Sequence, residues 1–472
     1  MITSYESSAQ GRGAADLLPE TERALLHRIA VAQREGRTPS LVGAVMREGR
    51  MVWSGGRGSA SGDSGEETVG AGTQYRIGSL TKMFAAVLVM RLRDEGLIDL
   101  DRPLGTYLDV PEGGEATVAQ LLAHTSGLVA EARGPWWERT EGELRPELAD
   151  NFPERSQLHA PGRLHHYSNP GYALLGALVE RLRGEPWGEA LRREVLAPLG
   201  MDRTTLAPEA PHAAGRAVHP WADVLLPEPA VDTGRMGPAG QLWSTAADLC
   251  RFAAFLLDGD DRVLGAATLA EMRTPQCAPT DPAWSSTYGL GIQVVRREGR
   301  TLVGHVGSMP GFVATLWASP EEALAGVVLA NRTSCFDVIP AAADLVRTVA
   351  DREPRIPAPW RPLGQGDVDP ALLELTGLWH WGAAPFTVRL GAGGSLDLTP
   401  LGAAGRGSRF RPEADGTWTG LDGYYTGETL RVVRAAGGGA VSHLDLGTFV
   451  FTREPYERGD AVPGGVDEGG WR

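Results

Sequence analysis

Ser79 and Lys82 stand three residues apart at the head of an apolar stretch, and one helical turn would bring both side chains onto the same face. A serine hydroxyl is a weak nucleophile until a base takes its proton, and a lysine can be that base only when it is neutral. Two features push Lys82 that way. A cation in the first turn of a helix faces the positive end of the macrodipole, and the adjoining run Phe84 to Met90 is uncharged and apolar, which implies burial. Ser79 alone would read as a helix N-cap, but capping leaves Lys82 unexplained, and no Glu or Gln completes a capping box. Composition sharpens the point. Of 45 basic residues Lys82 is the sole lysine; the others are arginines, which stay charged and cannot serve as a base. A coding bias that turns dispensable lysines into arginines would spare the one that arginine cannot replace.

A nucleophile and base need elements to hold them. From Ser79 to Asp94 the chain has few helix breakers and stops at Gly96, which predicts a largely buried helix. Pro170 to Arg183 carries Leu174, Leu175, Leu178, Val179 and Leu182 on one face and stops at Gly184, a second helix. A first helix is expected over 22–33 and a third over 245–257. Alternation from Leu41 to Gly58 predicts a hairpin, and segments 301–306, 312–318 and 325–329 read as further strands. The fold class is therefore α+β, an antiparallel sheet with helices packed on it plus a helical region.

Tyr75-Arg-Ile-Gly-Ser-Leu-Thr-Lys82 is similar to the Ser-x-x-Lys element of the serine β-lactamase and penicillin-binding-protein superfamily. Further segments come in that family's order: Val118 to Leu128 with its His-Thr-Ser-Gly, Pro161 to Tyr172 with Tyr-x-Asn, then Pro238 to Asp248, Tyr288 to Ile292 and Gly304 to Phe312. The resemblance covers roughly 25–350 and is nearest the class C β-lactamase, D-aminopeptidase and carboxylesterase branch. It implies a β-lactamase-like domain and a serine hydrolase that forms an acyl-enzyme on an ester or amide. Esterase or D-amino-acid peptidase or amidase activity is the expectation. The alternatives are a β-lactamase or D,D-carboxypeptidase, or a catalytically silent binding module.

The resemblance implies a role for each matching residue. Ser79 is the nucleophile, and Lys82 with Tyr167 forms the base system, the phenol pKa being lowered by the neighbouring cation. Asn169 binds the substrate and helps hold Lys82, although Asn before Pro170 also reads as a helix N-cap. His305 and Gly307 form a His-x-Gly version of the third element, where many relatives have Lys-Thr-Gly. Backbone N–H groups of Ser79 and Ser308 form an oxyanion hole. A neutral His305 would attract a substrate carboxylate weakly, and more strongly toward pH 6 as it gains charge. The His124-Thr-Ser-Gly segment reads as a structural turn, so Ser126 is given no role.

Other chemistries are poorly served. A sole lysine outside any Gly-Lys pair excludes a Walker A loop and a kinase lysine. No Gly-x-Ser-x-Gly elbow occurs, and His159, His165 and His166 lack zinc spacing. No cofactor or metal is expected. A net charge of −14 disfavours nucleic acid and anionic membranes, leaving a small-molecule or short-peptide substrate as the expected partner. Cys250, Cys277 and Cys335 are too few and scattered for a disulfide framework and are expected as core thiols. No signal-like or membrane-length apolar run is seen, so a cytoplasmic protein is expected. The domain reading is a polar tail 1–20, the hydrolase-like domain 21–352, a Pro-rich linker 353–368, and an all-β domain 369–455 resembling lipocalin-like C-terminal domains, then a tail 456–472.

Overall fold

The computed structural model describes residues 17–456 apart from 62–67, 111–112, 284, 336–337, 358, 365, 367, 403–404 and 436–438. Both terminal tails read from the sequence lie almost wholly outside the described residues. The chain divides into two compact units, Met1–Ile356 and Pro357–Arg472.

The first unit is built on seven strands: β1 (Ser40–Arg47), β2 (Arg50–Gly58), β3 (Ser286–Tyr288), β4 (Gln293–Arg297), β5 (Arg300–Met309), β6 (Phe312–Ser319) and β7 (Leu324–Ala330). They run antiparallel in the order β2-β1-β7-β6-β5-β4-β3, so the N-terminal hairpin closes onto the last strand. That hairpin turns on Glu48 and Gly49, both with positive φ, as a two-residue turn between right-twisted strands requires. Period-two alternation splits the sheet's two faces. Leu41, Val45, Val313 and Val328 join one core with Leu25 and Ile29 of helix α1 (Pro19–Glu35) and Leu345, Val346 and Val349 of a C-terminal helix, Ile339–Arg352. Val42, Ala44, Ala314, Leu316 and Val327 join the other core, with the helices that carry the site.

On that second face lie α2 (Thr81–Asp94), α3 (Asn169–Arg183) and α4 (Ala246–Asp258). Helix α2 is apolar almost all round and is buried on nearly every side from Thr81 to Met90. Its Phe84 stacks on Phe252 of α4 with ring centroids 3.9 Å apart. Truncating Phe84 to alanine would cost about 3–5 kcal/mol, as large core cavities usually do. Helix α3 ends where the sequence implied, with Gly184 in the left-handed region at φ 71°. Its start differs from the sequence reading: Ser168, not Asn169, is the N-cap, its hydroxyl accepting from the Gly171 N–H. Asn169 is thereby released from capping.

Glu353, expected at the start of the linker, is tied to the first unit, where it accepts from the Leu18 N–H at 2.9 Å and faces Arg47 at 3.8 Å. The second unit is an eight-stranded antiparallel meander from Gly377–Trp381 to Phe449–Phe451 in which every strand pairs with its neighbour in sequence. Reciprocal backbone hydrogen bonds between His380 and Thr452 join its first strand to the residue that follows its last. Trp379, Phe386, Phe410, Trp418 and Phe451 fill its interior. This near-barrel agrees with the all-β reading of the C-terminal region. None of the three cysteines is disulfide-bonded; Cys250 and Cys335 are buried, whereas Cys277 is only half-buried. Among the described residues no helix is long and apolar enough to cross a membrane.

Candidate active site

Ser79 lies on a 3-10 turn, Gly78–Leu80, that leads directly into α2. No side chain caps this helix start, so the N-cap reading of Ser79 does not hold. The turn is fastened to the core: Ile77 N–H donates to Leu242 O, and Leu242 N–H donates to the Thr81 hydroxyl at 3.2 Å. One turn on, Lys82 Nζ donates to Ser79 Oγ at 2.9 Å and to the Ala239 carbonyl at 2.7 Å. Lys82 is wholly buried, and burial pushes its pKa down to about 7, against an upward pull from Glu131 and Glu138. Ser79 itself remains half-exposed, accessible to a substrate.

Tyr167 completes a triangle. Its hydroxyl hydrogen-bonds Ser79, and Lys82 Nζ lies 4.9 Å from its ring centroid. The expectation of a lowered phenol pKa is reversed: burial of the phenol raises it, and the Ser79 hydrogen bond offsets this only in part. At the alkaline pH where a phenol titrates, an amine with a pKa of about 7 is already neutral and supplies no lowering cation.

Strand β5 supplies the opposite wall. Val303, His305, Gly307 and Met309 alternate onto the face shared with α2. The two-residue turn Pro310-Gly311 makes Met309 and Phe312 the hydrogen-bonded pair of β5 and β6. Ser308 is then a non-bonded position, its N–H directed away from β6. That side is where Gly78 sits: a Cβ on Gly78 would lie 2.6 Å from the Ser308 nitrogen. Gly78, with φ +53°, thus permits the close approach that brings the Ser308 amide beside the Ser79 turn.

Asn169 does not hold Lys82; the Ala239 carbonyl does. Asn169 Nδ2 donates to Glu131 Oε2 at 3.0 Å, an oxygen that also accepts from Trp137 Nε1 at 2.8 Å. Because a carboxylate only accepts, this bond fixes the amide's orientation, and Asn169 Oδ1 is buried without a partner among the described residues. His305 departs furthest from expectation. It is buried, with Nε2 bonded to Tyr288 and Nδ1 to the Val306 carbonyl. Burial and the nearby Lys82 push its pKa down to about 3, so it gains no charge near pH 6. Among the described residues no group of three or more His, Cys, Asp and Glu gathers as metal ligands would.

Four groups at the site carry no role in the sequence reading: the Ala239 carbonyl, Glu131, Tyr288 and His124. His124, with φ +56°, is more than a turn residue. Its ring lies 4.1 Å from that of Tyr167, and its Nδ1 accepts from the Ser168 N–H at 3.0 Å. The segments holding His124 and Tyr288 are visible as motifs, whereas a backbone carbonyl and an isolated glutamate leave no sequence signal.

A family model described as Beta-lactamase matches residues 21–350, and one described as a domain of unknown function (DUF7586) matches 368–453. Penicillin-binding protein 4 of Amycolatopsis lactamdurans is 30% identical over 280 residues, 54% of this chain and 72% of that protein. Esterase EstB of Burkholderia gladioli is 33% identical over 188 residues, 36% of this chain and 47% of its own length. A solved D-stereospecific amidohydrolase from Streptomyces sp. is 26% identical with a TM-score of 0.54, covering 68% of this chain and 97% of that one. With the Beta-lactamase model matching well over half of the 472 residues, the chain belongs to the Beta-lactamase family, within the penicillin-binding-protein-like serine hydrolase superfamily.

Proposed function

We propose that this protein is a serine hydrolase that forms an acyl-enzyme on Ser79 with esters or amides of amino-acid type. The observation that carries the reading is the 2.9 Å contact of Lys82 Nζ with Ser79 Oγ, made by a buried lysine whose pKa lies at about 7. Near pH 7 much of the amine is neutral and takes the Ser79 proton as Oγ bonds to the substrate carbonyl carbon. The oxyanion accepts from the Ser79 and Ser308 N–H groups. Collapse of the intermediate breaks the bond to the leaving alcohol or amine, which departs with the proton from Lys82, passed through the neutral Tyr167 hydroxyl. Water then attacks the ester, giving its proton to Lys82, and releases the acid with Ser79 restored.

Charge around the pair supports the substrate class. Glu131, an exposed carboxylate, sits close enough to Lys82 to raise its pKa and is bonded to Asn169, so one wall is negative. Such a wall favours a substrate with a free ammonium group. The orphaned Asn169 Oδ1 offers an acceptor for a substrate N–H. Likeness to the D-stereospecific amidohydrolase supports amide hydrolysis, and likeness to EstB supports ester hydrolysis. A β-lactamase or D,D-carboxypeptidase calls for a cation to hold the substrate carboxylate, and a neutral His305 is a poor one. A silent binding module has no use for a buried lysine held against a serine hydroxyl.

A fluorophosphonate should add one phosphonyl group to the peptide carrying Ser79, detected by intact-mass and peptide mass spectrometry. No adduct, or one that persists in Ser79→Ala, would overturn the reading. A panel of D-amino-acid amides, short-chain esters and a chromogenic cephalosporin then ranks the substrate classes.

A further inference from the structure

His124 holds the chain on both sides of Tyr167. Its carbonyl accepts from the His166 N–H at 2.7 Å, and its ring Nδ1 accepts from the Ser168 N–H at 3.0 Å. The ring is buried and lies 4.1 Å from the Tyr167 ring, with those of Tyr172 and Tyr288 at 5.1 and 4.7 Å. An amide N–H only donates, so Nδ1 carries the lone pair and the ring proton sits on Nε2. Nε2 has no partner among the described residues, so among them the bond from Ser168 is the ring's only polar contact.

Packing alone does not call for a histidine here. A pocket walled by three tyrosine rings is filled as well by phenylalanine, and a φ of +56° strains most side chains. What histidine adds is an acceptor for the Ser168 N–H, which phenylalanine would leave without a bond. The Val129 and Ala130 carbonyls hold the start of α3 through the Ser168 hydroxyl and the Asn169 N–H. The peptide that joins Tyr167 to Ser168 is held at its N–H by His124.

We propose that His124 is a positioning residue that acts through Tyr167: by accepting the Ser168 N–H, its Nδ1 fixes the peptide next to the Tyr167 ring and keeps the phenol on Ser79 while it hands a proton to the leaving group. The inference rests on the reading of Tyr167 as that proton carrier. As the bond from the acyl carbon to the leaving oxygen or nitrogen breaks, Tyr167 gives its hydroxyl proton to that atom and takes one from Lys82, ending neutral as it began. Loss of the Nδ1 acceptor therefore slows only substrates whose leaving group must be protonated to depart. A misplacement of about 1 Å is enough to cost about a hundredfold.

The test uses the full chain and two esters of one acyl group: a methyl ester, whose alkoxide leaves only with a proton, and a p-nitrophenyl ester, whose phenolate leaves without one. His124→Phe keeps a ring of similar size without the acceptor. His124→Asn gives up the ring, returns an acceptor oxygen near the place of Nδ1 and tolerates the positive φ. Both keep the carbonyl that bonds His166. In His124→Phe, kcat/KM on the methyl ester falls at least thirtyfold, while kcat/KM on the p-nitrophenyl ester and the rate of fluorophosphonate labelling at Ser79 stay within threefold of the parent. His124→Asn keeps the methyl ester within fivefold of the parent. In a Tyr167→Phe background, His124→Phe costs less than a further twofold. Equal losses on both esters and in labelling, which a merely structural histidine gives, overturn the proposal. So does a His124→Asn variant no faster than His124→Phe, or a loss that is the same with and without the Tyr167 hydroxyl. The failures are separable: an unlabelled parent sinks the nucleophile assignment, and parent-like methyl-ester turnover by Tyr167→Phe sinks the proton carrier. A slow Tyr167→Phe beside a parent-like His124→Phe sinks His124 alone.

Discussion

Gly307 leaves no room for a side chain against Ser79: a Cβ there would sit 2.8 Å from the Ser79 amide nitrogen and 2.0 Å from the Ile77 carbonyl oxygen. Both contacts are with backbone, so a flexible neighbour cannot yield. Gly307→Ala should push β5 off the 3-10 turn and pull the Ser308 amide away from the oxyanion position. Loss of one such donor costs about 10²–10³ in kcat. We expect a fall of that size in kcat with far-UV circular dichroism unchanged. Parent-like kcat would refute the oxyanion assignment.

Lys82→Arg separates charge from basicity. A guanidinium keeps the positive charge but cannot accept the Ser79 proton, so the variant should be nearly as inactive as Lys82→Ala. In the parent, kcat/KM should fall about tenfold per pH unit below about 7, the value to which burial pushes Lys82. Substantial turnover by Lys82→Arg would show that charge alone suffices and move the base role to Tyr167.

What the sequence reveals of this molecule divides along the range of the interaction. Ser79 and Lys82 are legible because one helical turn relates them and because lysine is unique in the composition. The sheet and the central helices are legible because alternation and apolar runs are local. The Tyr288–His305 bond joins residues seventeen apart on strands that only the sheet order brings near, and burial beside Lys82, a tertiary property too, removes the charge expected of His305. The Tyr167 phenol defies the sequence reading because its pKa depends on burial, a tertiary property that local sequence does not carry. The cap of α3 lies one residue from its expected place, since Ser168 and Asn169 are both favoured caps and only the Gly171 contact decides.

A buried lysine with a depressed pKa also leaves a mark on stability. Between about pH 7 and the ordinary lysine value of 10.5 the unfolded chain holds a proton that the folded chain lacks, so stability rises with pH across that window. Below about 7 the full cost of the buried charge remains, and above 10.5 it vanishes. At ~1.4 kcal/mol per pKa unit the upper figure is about 5 kcal/mol. Lys82→Met should therefore gain stability over the parent more at pH 7 than at pH 10, measured by urea unfolding at both. A gain independent of pH would mean that Lys82 titrates alike in both states.

Separability of the two units is the remaining expectation. Among the described residues three hydrophobic clusters make up the core, two within residues 17–350 and a third confined to 375–451. The helix that closes the first unit ends at Arg352, and Glu353 is already fastened back to Leu18 and Arg47. The segment from Pro354 through Pro362 is rich in proline and has few side chains to bury. A chain ending at Gly364 should thus lose no residue of either core of the first unit. It should unfold cooperatively in urea and react with a fluorophosphonate at Ser79 at a rate within about threefold of the full chain, since the contacts that hold Lys82 and Ser308 come from residues of the first unit. The isolated segment 366–456 should fold separately, because its first strand already meets its own C-terminal end through His380 and Thr452. Loss of a cooperative transition in the shortened chain would show that the two units stabilise each other. Retained folding with a tenfold slower reaction at Ser79 would show instead that the second unit shapes the site.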